Sequence, residues 1–238
     1  MVESLQSIAK MIDHSLLHPQ LTDRDLIAGC TLAHRHAVAS VCIKPYAVAM
    51  AREILIGSEV RVGTVIGFPH GSNRIDIKIR ESEQTLADGA EELDLVVNIG
   101  KVLSQDWTYV SEEIKVINNL VIAREGIVKV IFENDFLTDR RYKLKLCEIC
   151  STLAVAFVKT STGFGFVKQA NGAYDYLGAT DDDLVLMREH CIPSIQIKAA
   201  GKVRTLDDIL RVRELGATRV GATATESILK EARERGFV

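Results

Sequence analysis

The chain has 238 residues, of which 47% are hydrophobic and 26% are charged, as in an average soluble globular domain, so intrinsic disorder is excluded. Lys and Arg number 29 and Asp and Glu number 32, and the resulting net charge of −3 disfavours a nucleic-acid binder held by phosphate neutralisation. No apolar run approaches the roughly 20 residues that cross a bilayer. Residues 1–17 lack the basic and apolar regions of a secretion signal. We therefore expect a cytoplasmic protein that binds neither nucleic acid nor a membrane.

Short apolar, β-branched segments recur along the chain, and their nearly continuous hydrophobicity is typical of strands buried on both faces of a parallel sheet. We predict strands at residues 10–13, 38–43, 61–66, 93–97, 128–133, 155–159, 194–198 and 218–221. Helical patterns lie between them. Thr22 and Asp25 cap one such helix, Gly89 and Gly216 each end another, and residues 225–237 form the last.

Eight β/α units in about 240 residues predict a single (β/α)8 TIM barrel, whose usual size is around 250 residues. We expect one domain over residues 1–238, because composition does not shift and no Pro- or Ser-rich linker interrupts the chain. A doubly wound sheet is the alternative, since the pattern of elements does not show whether the sheet closes.

The cysteines and histidines carry no metal or redox motif. Five cysteines, an odd number in a chain without an export signal, favour reduced thiols. Cys147 and Cys150 form an isolated CxxC in a predicted helix, which we interpret as two structural thiols. Pro19 follows His18 directly and disfavours the helical geometry that a metal-binding pair with His14 needs. No metal site is predicted.

Two lysines close neighbouring predicted strands. Lys159 ends the apolar segment VAFVK, where burial disfavours the ammonium and lowers the pKa of the amine. A neutral amine is the nucleophile of Schiff-base chemistry, whereas an ion-paired lysine is the structural alternative. Lys198 ends the next strand, SIQIK, and a second cation nearby lowers the pKa of the first further. Because the repulsion between two such lysines costs stability, the pair favours a catalytic role.

Two carboxylates interrupt predicted strands at the same end of the sheet. Asp94 lies within the apolar segment ELDLVV, and Asp13 lies in MIDHSLL. A buried carboxylate is costly unless it is paired or works in proton transfer. Both roles stay open for Asp94, and the two are compatible.

The loops after the last two predicted strands are candidates for a phosphate site. Backbone N–H groups and helix N-termini in these two loops of a barrel often hold a phosphate. The residues concerned are Gly201, Lys202, Val203 and Arg204 after the seventh strand, and Gly221, Thr223 and Ala224 after the eighth.

Residues 157–164, with the sequence FVKTSTGF, resemble the Schiff-base signature of the deoxyribose-phosphate aldolase family. Further matching segments occur in order along the chain at residues 12–17, 41–43, 67–71, 92–98, 128–133, 197–201 and 219–221. The resemblance implies a class I aldolase on a TIM barrel that reversibly cleaves 2-deoxy-D-ribose 5-phosphate to D-glyceraldehyde 3-phosphate and acetaldehyde. It implies no metal or organic cofactor, and homodimers or homotetramers.

The resemblance also implies roles for individual residues. Lys159 matches the lysine that forms the imine, Lys198 the lysine that perturbs it, and Asp94 the aspartate that moves protons with a bound water. Residues implied to line the substrate site are Asp13 and Cys42, together with Thr160 and Gly163 of the signature segment.

The sequence departs from the family pattern at three places, all in segments implied to lie near the substrate. Lys202 stands where the family has a second glycine, and Thr223 and Ala224 stand where serines are common. Residues 164–180 form a longer segment than in most members. These departures leave open a Schiff-base aldolase of the same family that acts on a different sugar phosphate or aldehyde pair.

Two further functions are possible alternatives to a Schiff-base aldolase. A zinc-dependent aldolase is disfavoured by the scattered histidines. A barrel that only binds a sugar phosphate has no need of a neutral amine, so the two lysines argue against it.

Overall fold

The computed structural model describes residues 4–238, so residues 1–3 of the predicted domain lie outside the described residues. Eight parallel strands close into a barrel in the order β1-β10-β9-β6-β5-β4-β3-β2, which confirms the predicted TIM barrel and excludes the doubly wound sheet. The barrel strands are β1 (Ile12–Leu16), β2 (Ser40–Ile43), β3 (Arg61–Ile66), β4 (Glu92–Val96), β5 (Ile127–Ile131), β6 (Phe157–Lys159), β9 (Gln196–Ala200) and β10 (Arg219–Ala222). Between β6 and β9, strands β7 (Val167–Lys168) and β8 (Tyr174–Asp175) form an antiparallel hairpin outside the barrel.

Helices surround the barrel and follow the predicted capping signals. They are α1 (Leu5–Ala9), α2 (Asp23–His36), α3 (Val48–Ile54), α4 (Ile75–Ala87), α5 (Ile99–Leu103), α6 (Trp107–Ile122), α7 (Arg140–Thr152), α8 (Asp181–His190), α9 (Leu206–Glu214) and α10 (Thr225–Glu234). Thr22 caps α2 through a reciprocal pair of hydrogen bonds with Asp25, as predicted. Gly89 and Gly216 follow α4 and α9 with φ of 104° and 96°, the left-handed conformation that glycine adopts freely.

Seven of the eight strands differ from the prediction by one to three residues at one or both ends, and only β3 has the predicted bounds. The differences are largest in β1 and β9. β1 begins at Ile12 rather than at Lys10, because Lys10 ends helix α1, and it extends through Leu16. β9 does not end at Lys198 but continues through Ala199 and Ala200, which pair with β10. Lys198 therefore lies in the middle of its strand, one layer deeper than a residue at the strand end.

The strands are buried on both faces, as their continuous hydrophobicity predicted. β4 and β6 are buried at every position, and β5 and β9 are buried at every position but the first. Burial of each Val, Ile or Leu side chain stabilises the fold by about 1.5–3 kcal/mol. Inside the closed barrel, however, several fully buried side chains are charged, and they define the site described below.

The CxxC residues are structural thiols in this fold. Cys147 and Cys150 lie on the buried face of α7, and all five cysteines are free. Within residues 4–238, no helix combines the length and apolar character that a membrane span requires.

Candidate active site

Lys159 and Lys198 lie side by side inside the barrel. β6 and β9 are neighbours, and their register pairs Lys159 directly with Lys198, so the two side chains point the same way. The Nζ atoms lie 2.6 and 2.7 Å from the same oxygen, Oδ2 of Asp94 on β4. This one carboxylate oxygen therefore contacts the amines of both lysines, which sequence analysis placed on neighbouring strands.

A second layer of charged side chains lies behind this group. Lys129 on β5 contacts Oδ2 of Asp13 at 2.7 Å, Oε2 of Glu92 at 2.6 Å and Oδ1 of Asp94 at 3.3 Å. Arg219 on β10 pairs with the same Asp13 and Glu92 carboxylates. Lys198 bridges the layers, because its Nζ also lies 2.6 Å from Oδ2 of Asp13. The result is one continuous network of ion pairs across the barrel interior.

The network contains one cation more than it has carboxylates. Its cationic side chains are Lys129, Lys159, Lys198 and Arg219, and its carboxylates are Asp13, Glu92 and Asp94. An uncompensated charge in a buried site is strongly unfavourable. The charges balance when one amine gives up its proton, so the network itself favours one neutral lysine.

The direction of the pKa shifts identifies that lysine. Burial lowers the pKa of Lys159, and the neighbouring Lys198 lowers it further, against the opposing effect of Asp94. Burial also disfavours the charged forms of Lys198 and Lys129, but Asp13 and Asp94 outweigh it and raise both pKa values. Lys159 is therefore the amine that reaches the neutral, nucleophilic form most readily.

Asp94 stays ionised in this setting. Burial alone would raise the pKa of Asp94, but Lys129, Lys159 and Lys198 together hold it below its usual range. Because Oδ2 of Asp94 contacts the Lys159 nitrogen directly, this carboxylate is placed to accept a proton from it and to return one.

Lys159 and Lys198 form part of the floor of a cavity of about 870 Å³ at the carboxyl ends of the barrel strands. Cys42 on β2 lies beside them, with its Sγ 3.8 Å from Oδ2 of Asp94. Burial, and then Asp94, raise the pKa of the Cys42 thiol to about 11, so the thiol stays protonated. Phe164, packed edge-to-face against Phe68 at 5.5 Å, adds an apolar wall.

The far end of the cavity is formed by the two loops predicted to hold a phosphate. Of the predicted substrate-binding residues, those in the cavity wall are Cys42, Gly163, Gly201, Lys202, Val203, Arg204, Gly221 and Thr223. Gly201 and Lys202 adopt successive left-handed conformations, with φ of 90° and 59°. The backbone N–H of Arg204 donates to Asp208 at 2.9 Å, so that N–H already has a partner and the cation of Arg204 is what it offers a ligand.

Four predicted residues lie elsewhere. Asp94 and Asp13 lie behind the two lysines rather than in the cavity wall, and they affect the cavity through their ion pairs with these lysines. Thr160 joins β6 to β9, because its Oγ1 exchanges two hydrogen bonds of 3.0 Å with the backbone of Ala200. Ala224 precedes α10 and packs against the core.

Sequence analysis missed several residues of the site. Lys129, Glu92 and Arg219 complete the charged network, and the signal that found Asp94, a charge within an apolar strand, was also present for Lys129 and Glu92. Glu133 follows β5 and accepts hydrogen bonds from the N–H of Thr162, at 3.1 Å, and from its hydroxyl. Glu133 therefore fixes the loop after Lys159, and burial raises its pKa to about 7.

Comparisons with known proteins agree with this geometry. A family model described as "DeoC/LacD family aldolase" matches residues 7–222. A protein of Rhodopirellula baltica named deoxyribose-phosphate aldolase is 50% identical over 228 residues, which cover 96% of this chain and 90% of the relative. One of Clostridium perfringens with the same name is 41% identical over 94% of both chains. The solved structure "QR15, an Aldolase" is 31% identical and superposes with a TM-score of 0.85 over 96% of both chains.

Proposed function

The chain belongs to the DeoC/LacD family of aldolases, and on that premise we propose that it is a class I aldolase. Its reaction is the reversible cleavage of 2-deoxy-D-ribose 5-phosphate to D-glyceraldehyde 3-phosphate and acetaldehyde. The relatives named deoxyribose-phosphate aldolase support this substrate. The observation that carries the proposal is the Lys159 amine, buried at the cavity floor in a network with one excess cation.

The proposed first step is attack of the neutral Lys159 nitrogen on the C1 carbonyl of the open-chain sugar. Asp94 takes a proton from that nitrogen and returns it to the carbonyl oxygen, which becomes the carbinolamine hydroxyl. That hydroxyl leaves as water with a second proton, supplied by solvent, and an iminium ion remains. Lys198 stays charged because two carboxylates hold it, so it keeps its electrostatic effect on Lys159 throughout.

The proposed carbon–carbon cleavage uses the iminium ion as an electron sink. Asp94, acting through a water, removes the proton of the C3 hydroxyl, the C2–C3 bond breaks, and its electron pair forms the enamine. D-Glyceraldehyde 3-phosphate leaves with the new C3 carbonyl. Protonation of the enamine at C2 and hydrolysis of the resulting imine release acetaldehyde and restore Lys159. No metal or organic cofactor enters this sequence, so turnover should be unaffected by a chelator.

The proposed phosphate site is the far end of the cavity, at Gly201, Lys202, Val203 and Arg204 with Gly221 and Thr223. Two cationic side chains and left-handed backbone suit an anion there. Phosphate binding remote from the carbonyl orients the sugar and contributes to catalysis.

The decisive assay is turnover of 2-deoxyribose 5-phosphate with detection of acetaldehyde. Wild type should release acetaldehyde in proportion to substrate consumed, and Lys159→Met should release none. A Lys159→Met protein with full activity would eliminate the proposal. Because Lys202 lies in the cavity wall, a different sugar phosphate or aldehyde pair is the second candidate, and a panel of these compounds separates the two.

We also propose that the chain forms a homodimer or homotetramer as a single-domain cytoplasmic enzyme. The barrel leaves several large apolar side chains exposed, among them Tyr46, Ile56 and Ile77, which suits contact between copies. Light scattering of the purified protein measures the state, and a monomer at micromolar concentration would contradict this proposal.

A further inference from the structure

The segment that directly follows the hairpin of β7 and β8 is fixed against the loop that follows β9. A Cβ atom on Gly201 would lie 2.8 Å from the Cα of Gly178, so only glycine permits this approach. The backbone N–H of Ala179 donates to the carbonyl of Gly201 at 3.2 Å. Asp135 accepts from the N–H of Gly178 at 3.1 Å and also from that of Leu177. These contacts anchor residues 177–179 and so fix the point at which the hairpin ends, beside the cavity wall.

The hairpin brings one carboxylate and one aromatic ring to Lys202. The Nζ of Lys202 lies 3.3 Å from Oδ2 of Asp175 and 5.2 Å from the ring centroid of Tyr176. All three residues line the far end of the cavity. Phe166 packs edge-to-face on Tyr176 at 5.2 Å and supports the ring. Lys202 keeps its side chain there although its φ of 59° suits glycine better, which points to a use for the ammonium group.

Asp175 changes the charge that an arriving ligand meets. Hydrogen bonds from the backbone of Tyr176 and from Lys202 lower the pKa of Asp175, so the carboxylate is ionised at neutral pH. It stands beside the two cations, Lys202 and Arg204, that face the same end of the cavity. The side chains of Lys202 and Asp175 are 40% and 59% exposed, and an ion pair so exposed is weak enough for a ligand to displace.

We propose that Asp175 and Lys202 form a specificity-determining pair in which Asp175 competes with the substrate phosphate for the Lys202 ammonium. In the free enzyme Lys202 is bound to Asp175. A phosphate group takes over that ammonium, and the carboxylate of Asp175 remains beside it as an opposing charge. Selectivity for phosphorylated over unphosphorylated substrates is therefore lower than Lys202 alone would give. This inference rests on the proposed function, because it takes the substrate to carry a phosphate remote from its carbonyl.

The test compares kcat/KM for 2-deoxyribose 5-phosphate with kcat/KM for unphosphorylated 2-deoxyribose. Asp175→Asn should raise the ratio about three- to fivefold, since an opposing charge and a competitor are removed. Lys202→Met should lower the ratio about tenfold or more, because a charge-assisted hydrogen bond to phosphate is lost. In both variants kcat/KM should change for the phosphorylated substrate only. An unchanged kcat/KM for unphosphorylated 2-deoxyribose shows that the site is still folded.

The matched control is Lys168→Met, which removes an exposed lysine of the same hairpin that does not line the cavity. Its ratio should equal that of wild type. An Asp175→Asn protein with an unchanged or lower ratio would overturn the competition, and so would equal effects of Lys168→Met and Lys202→Met. If wild type turns over neither sugar, the proposed function is refuted, and this inference with it.

Discussion

Replacing Lys198 by methionine should raise the pKa of Lys159 and move the activity of the enzyme to higher pH. In the native network Lys198 and Lys159 share Oδ2 of Asp94, and the four cations outnumber the three carboxylates. In the variant the remaining cations match the carboxylates, so Lys159 keeps its proton and pairs with Asp94. Methionine is unbranched and flexible, so it fills most of the space that lysine leaves.

The size of the shift follows from the geometry. Because both Nζ atoms lie 2.6–2.7 Å from the same oxygen, they are at most about 5 Å apart. At an effective dielectric constant of about 20, two unit charges at that separation repel by about 3 kcal/mol. This corresponds to about two pKa units for Lys159. At neutral pH the variant should therefore retain about one hundredth of the wild-type kcat/KM.

The assay is kcat/KM for cleavage of 2-deoxyribose 5-phosphate between about pH 6 and about pH 10, the range in which a lowered lysine pKa titrates. The Lys198→Met protein should recover activity as pH rises, with its profile displaced from that of wild type. Lys115→Met is the control, because Lys115 is an exposed lysine of α6, away from the barrel interior. A loss of activity that is the same at every pH would refute the electrostatic role of Lys198.

Three further variants test other parts of the network. Asp94→Asn should lose about 10²–10⁴-fold in turnover and should form the borohydride-reducible adduct at Lys159 more slowly, because Asp94 moves protons in both steps; wild-type rates of both would contradict proton transfer by Asp94. Lys129→Met should lower the free energy of unfolding in urea by about 3–5 kcal/mol, because it leaves buried carboxylates short of a partner; a change below about 1 kcal/mol would contradict this. Burial raises the pKa of Glu133 from 4.5 to about 7, so its contribution to stability is complete below about pH 4.5 and is lost as pH rises through about 7. In wild type the free energy of unfolding should fall by about 3 kcal/mol over this pH range, and Glu133→Gln should remove the fall. The same pH dependence of stability in both proteins would contradict this role of Glu133.

The part of the site that sequence analysis predicted follows from strand order alone. In a parallel barrel consecutive strands are neighbours, so lysines at corresponding positions of two consecutive barrel strands must lie close together. Lys159 and Lys198 satisfy this condition, and the buried Asp94 meets both. The charged residues that were missed, Lys129 and Glu92, lie deeper in the barrel than the carboxyl ends of the strands, where function was sought.

The hairpin next to the loops proposed to hold the phosphate had no comparable signal. Its two strands have two residues each, too short for an alternating pattern to be recognised. Its position depends on the close approach of Gly178 to Gly201, a contact between segments that are separate in sequence. Sequence analysis identified the segment 164–180 as unusual, but the partnership of Asp175 with Lys202 required the folded structure.

Reductive trapping addresses the neutral amine most directly. The protein is incubated with 2-deoxyribose 5-phosphate and borohydride near neutral pH and then digested, and the peptide masses are measured by mass spectrometry. A stable adduct on the peptide that contains Lys159, with Lys198 and Lys129 unmodified, is the expected result. Modification of another lysine, or full turnover without any trapped adduct, would contradict the chemistry assigned to this network.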